Sequence, residues 1–246
     1  MPVGFQAFTD TGLVQIDGTT QNYALRQKFD VTTAGGTING AKSNAGVMYT
    51  YSANVASFTI NAVKPLIALY SPNAYATILQ CVNSNGTWSV KIWTDTAAIV
   101  SVYVFDQSSA AAPAGPGYGL QVFDQNGVLV FDARQRIARV IDNQAGNINN
   151  TSPGWGQWAH VDTRTSSWNY PTVSKIGVAA IGTAFICTEG GGPNSWYNMS
   201  GLQTAGNTVN FKYGYYQNGS PAHPNNDICF GSQFDWRFMA IDLSNI

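Results

Sequence analysis

The chain predicts an all-β protein built from antiparallel β-sandwich-like units, on three observations. Short runs rich in Val, Ile, Phe, Tyr and Thr recur along the 246 residues, separated by Gly, Asn, Pro and Ser. Within one of them Trp88, Val90 and Ile92 alternate with Ser89, Lys91 and Trp93, the period-two pattern of a strand with one buried face. No stretch carries the 3.6-residue apolar period of an amphipathic helix.

A hairpin is written twice. Residues 4–17 and 119–132 align without a gap, with Gly4/Gly119, Gln6/Gln121, Phe8/Phe123, Gly12/Gly127 and Asp17/Asp132 identical. Most other positions keep their class, as in Phe5/Leu120, Val14/Leu129 and Ile16/Phe131. Asp124, Asn126 and Gly127 are turn residues, and apolar runs flank them, so the unit reads as strand, tight turn, strand. The Gln and Asp pairs read as groups that fix the hairpin ends rather than as chemistry. Further on, Arg26, Gln27 and Lys28 echo Arg134, Gln135 and Arg136, with a longer spacer in the first copy. Two copies are too few for a solenoid, which needs three or more to bury a continuous core. They indicate one hairpin design used twice.

A start of this form, Gly4, Phe5 and Gln6 with Phe8, Gly12 and Asp17, then a basic strand, resembles small tail proteins of long-tailed bacteriophages and prophages. The resemblance covers about thirty residues at each copy. It implies a tail-tip, baseplate or fibre-associated component of the virion, made in the host bacterial cytoplasm. Its partners would be other phage tail proteins and copies of itself, with a trimer favoured by analogy. Its motif is a hairpin and brings no functional residues with it.

Composition is compatible with that role. Apolar residues make up 44% and charged residues only 10%, against roughly 25% charged in ordinary soluble domains. A polar surface with little charge suits a subunit packed against others. The net charge of −1 gives no field to steer nucleic acid or an anionic membrane. No apolar run is long enough to span a bilayer, and Met1, Pro2, Val3 and Gly4 open no secretory signal. Cys81, Cys187 and Cys229 fit neither a zinc site nor a disulfide scaffold and read as buried free thiols. No cofactor is implied.

Taken in order, the first hairpin is followed by a strand at 25–31 and a loop through Gly35 and Gly36. Strand-like runs follow at 47–51, 57–60, 66–70, 75–82, 88–93 and 100–105. Residues 108–117 hold only small residues, Pro and Gly and read as a linker. The chain is therefore expected to divide into an N-terminal unit, 1–107, and a C-terminal unit, 118–246, each headed by a hairpin. One composite sandwich is the alternative. In the second half, 143–169 reads as loop, 175–187 as a buried strand pair, and 209–216 and 234–241 as strands.

Two groups of residues stand out. Trp155, Trp158, Trp168, Trp196 and Tyr197 lie among Gly- and Asn-rich loops, where an aromatic face stacks on a sugar ring while amides bond its hydroxyls. They point to a host-surface glycan or protein as the ligand of a receptor-recognition reading. Arg134, Arg136 and Arg139 follow the second hairpin and read as interface or edge-protecting residues. Catalysis, as a glycan-degrading enzyme, ranks third, and the expectation is that the protein is not an enzyme. His160 and His223 each lie near an Asp, Asp162 and Asp227, and Ser195 and Ser220 are conceivable nucleophiles. No nucleophile-elbow, HExxH or P-loop pattern accompanies them.

Overall fold

The computed structural model describes residues 6–8, 14–17, 21–42, 48–113, 115–148, 164–189, 195–219 and 233–246. Among these the protein is all-β and antiparallel, as its sequence predicts. The strands of the first half are β1 (Gln6–Phe8), β2 (Val14–Asp17), β3 (Tyr23–Lys42), β4 (Met48–Asn61), β5 (Leu66–Tyr70), β6 (Ala76–Ser84), β7 (Thr87–Thr94) and β8 (Ala98–Gln107). Those of the second half are β9 (Gln121–Phe123), β10 (Leu129–Asp132), β11 (Arg139–Asn147), β12 (Arg164–Asn169), β13 (Ile176–Gly182), β14 (Phe185–Glu189), β15 (Ser195–Ala205), β16 (Thr208–Gly219) and β17 (Asp235–Asp242).

Two small hairpins, β1·β2 and β9·β10, stand apart from one large curled sheet. The large sheet runs β11-β17-β13-β5-β8-β3-β4-β7-β6-β15-β16-β12, with β14 added to β15. Strand β3 carries it round a corner: Tyr23–Thr33 pair with β8, and the residues from Ala34 onward pair with β4. The expected loop at Gly35 and Gly36 is therefore continuous strand. A Cβ at Gly36 would stand 2.6 Å from Val55 Cγ2, so glycine permits a closer approach of β3 to β4 than any side chain would.

Folding the sheet at this corner makes a sandwich in each half. Ile67, Leu69, Val100, Val102 and Val104 face Ile60, Ala76, Val90 and Ile92 in the first. Ile176, Val178, Phe238 and Ala240 face Leu202, Val209, Phe211 and Tyr213 in the second. Full burial of each such aliphatic side chain contributes about 1.5–3 kcal/mol before the entropy of ordering it is counted.

Strand bridges connect the two halves. Val178 bridges Leu69, and Leu202 bridges Ala76, so both sheet layers run through. A further cluster combines Ala68, Tyr103 and Phe105 with Ala179, Ile241 and Leu243 on the other face of β5, β8, β13 and β17. The curl also brings the two ends of that layer together, because Ile137, just before β11, bridges Ala24 of β3. Residues 108–112 are held too: Ala112 N donates to Leu25 O, and Gln135 Nε2 donates to Ser108 O and Ala112 O.

One pairing scheme serves both halves. In each, the last strand lies between the strand after the hairpin and a short central strand: β3-β8-β5 and β11-β17-β13. In the opposite layer β4-β7-β6 has its counterpart in β12-β16-β15. The hairpin ladders match residue for residue, with Gln6↔Asp17 and Phe8↔Val14 answering Gln121↔Asp132 and Phe123↔Leu129. The same offset carries into the next strands, where register shifts fall at Leu25/Gln27 and at Val140/Asp142. Leu25 thus answers Val140, and the proposed echo of Arg26 in Arg134 is not a structural one. Arg26 lies within β3, whereas Arg134 sits in the turn between β10 and β11.

Other expectations shift in detail. The run 175–187 forms β13 and β14, but these pair with β17 and β15 rather than with each other. Strands β11 and β12 occupy both ends of the stretch read as loop, 143–169. Cys81 is exposed, not buried, as is the whole far part of β6 from Gln80 to Ser84. Cys229 and the side chain of Cys187 lie outside the described residues.

Candidate interaction surfaces

The second hairpin is a stapled arm. Asp132, 2% exposed, receives Arg134 Nε at 2.9 Å, Arg134 Nη2 at 2.6 Å, Gln121 Nε2 at 2.8 Å and the Arg134 backbone N at 2.9 Å. These hydrogen bonds, those from the guanidinium first, hold its carboxyl well below the usual carboxylate range against the opposing effect of burial. Arg134 Nη1 also donates to Gly117 O. Arg134 passes so close to Gly119 that a Cβ there would stand 2.6 Å from its Cγ. The turn is tied as well, since Asp124 Oδ1 accepts from the backbone N of Asn126 and of Val128, and Gly127 takes a positive φ of 76°.

While its polar ends are fixed, the arm leaves Tyr118, Leu120, Phe123 and Val128 exposed, Tyr118 completely. Val122 and Val130 turn inward, and Val130 O accepts from Asn22 N, which anchors the arm to the start of β3. Four exposed apolar side chains thus lie on this one hairpin and its approach, more than a surface facing only water needs.

The three arginines have different fates. Arg134 is consumed by the staple. Arg139 Nη1 reaches Asp242 Oδ2 at 3.2 Å but stays 69% exposed, so the pair is largely screened. Arg136 is exposed, and its carbonyl accepts from Leu25 N.

Of the aromatic candidates, Trp168 is described fully. It packs edge-on against Trp236 and Phe238, at 5.9 Å and 5.2 Å between centroids, as part of the apolar layer of the second half. Trp196 and Tyr197 lie in β15, paired with Asn218 and Gln217 of β16, and their side chains lie outside the described residues. Trp155, Trp158, His160, Asp162, Ser220, His223 and Asp227 also lie outside, as does the side chain of Ser195 in β15.

Sequence reading passed over a cleft of about 300 Å³ in the first half. Strand β4 pairs with β7 only from Asn54 to Asn61, so its earlier residues lack β7 on that side. The gap is lined by Gly35, Ser52, Asn54, Trp93, Asp95 and Met199 among others. Alternation on β7 assigns Trp93 to the exposed face, yet it is only 3% exposed, because Ile38, Tyr51 and Met199 pack over that side of the sheet. Asp95 Oδ1 accepts from Tyr75 N at 2.9 Å.

Among the described residues no group of three or more His, Cys, Asp or Glu is placed to hold a metal ion, and no helix is long and apolar enough to cross a membrane. Comparison of the chain with protein-family models, with curated proteins and with solved structures finds no match.

Proposed function

We propose that the protein is a structural subunit of a bacteriophage tail tip or baseplate, assembling through its β surfaces and taking part in host attachment. The observation that carries this reading is the stapled arm. Asp132, Arg134 and Gln121 fix the hairpin, while Tyr118, Leu120, Phe123 and Val128 stand in water. A rigid apolar arm loses little entropy when another subunit covers it. The first copy of the same hairpin, residues 4–17, carries the residues on which the resemblance to tail proteins rests. Low charge over the remaining surface favours packing, and closed symmetry, a trimer by analogy, avoids open-ended polymers.

The test is the oligomeric state of the intact chain by multi-angle light scattering, beside a Leu120→Asp/Phe123→Asp variant. Both positions are about half exposed, so the variant should fold normally. The reading expects the native chain to associate and the variant to stay monomeric with an unchanged circular dichroism spectrum. A native chain that remains monomeric at every concentration would refute self-association through the arm.

A further inference from the structure

We draw no further inference here: the strongest candidate, the exposed surface patch on the far part of β6 from Gln80 to Ser84, where Val82 and the Cys81 thiol face water, carries nothing because nothing in the structure shows what covers it.

Discussion

Replacing Asp106 by Asn should cost the fold about 3 kcal/mol. The carboxylate is fully buried, at 0% exposure. Its Oδ1 accepts from Lys64 N and Gln107 N, each at 2.9 Å, and its Oδ2 accepts from Val63 N at 2.8 Å and Arg26 Nη1 at 3.4 Å. It therefore ties β8 to the loop that leads from β4 to β5. An amide presents one acceptor and one donor, so in either orientation at least one backbone N–H faces another donor. Leaving a buried donor unpaired costs about 1–3 kcal/mol, and a hydrogen bond to a charged group is worth about 1.5–3 kcal/mol. In a chain of this size about 3 kcal/mol lowers Tm by roughly 6–12 °C. The register match offers an internal control, because Asp242 occupies in β17 the place of Asp106 in β8 and pairs with the exposed Arg139. Asp242→Asn should cost less than about 1 kcal/mol. Thermal melts followed by circular dichroism compare the two directly. A shift under about 2 °C for Asp106→Asn, or equal shifts for both, would refute the argument that the three backbone N–H groups held by Asp106, against one held by Asp242, make the difference.

Further outcomes follow from single contacts. Gly146→Ala should destabilise by about 2–3 kcal/mol, since its Cβ would collide with the Trp236 ring, itself packed against Trp168, Phe211 and Phe238; urea denaturation reads this. Gly35→Ala should be neutral or slightly stabilising, whereas Gly36→Ala should cost about 1–2 kcal/mol through Val55, and paired melts separate them. Because the folded Asp132 carboxyl titrates below its unfolded counterpart, its contribution is present above about pH 4 and fades as pH falls further. The stability gap between the native chain and Asp132→Asn, measured by denaturant titration, should therefore stay constant near neutrality and shrink in acid. Burial, then the hydrogen bond to Asp142, raises the Tyr170 hydroxyl, and Tyr170→Phe should release Asp142 toward a higher pKa, read by NMR titration of its carboxyl.

Much of the fold was legible because strands announce themselves locally. Runs at 66–70, 88–93 and 100–105 became β5, β7 and β8, and the hairpin copies took the same register as their alignment. What escaped was decided at long range. Gly35 and Gly36 look like a loop in isolation and become strand only because Val55 packs against the bare backbone of Gly36. Trp93 lies on the outward face by alternation and is buried because β3, β4 and β15 curl over it. Arg134 resembles an interface residue until Asp132, two positions away, is seen to hold three of its nitrogens. The cleft had no local signature at all, since its residues come from β3, β4, β15 and the end of β7.

The two halves meet at Val178↔Leu69, at Leu202↔Ala76 and through the cluster around Tyr103 and Ile241, contacts expected to hold them as one body. A protease site inserted between Gly115 and Pro116, in the exposed segment ahead of the arm, tests this directly. After complete cleavage the two fragments should co-elute at the size of the intact chain under native conditions and unfold in one cooperative transition. Fragments that separate on the column, each folded and melting independently, would contradict it.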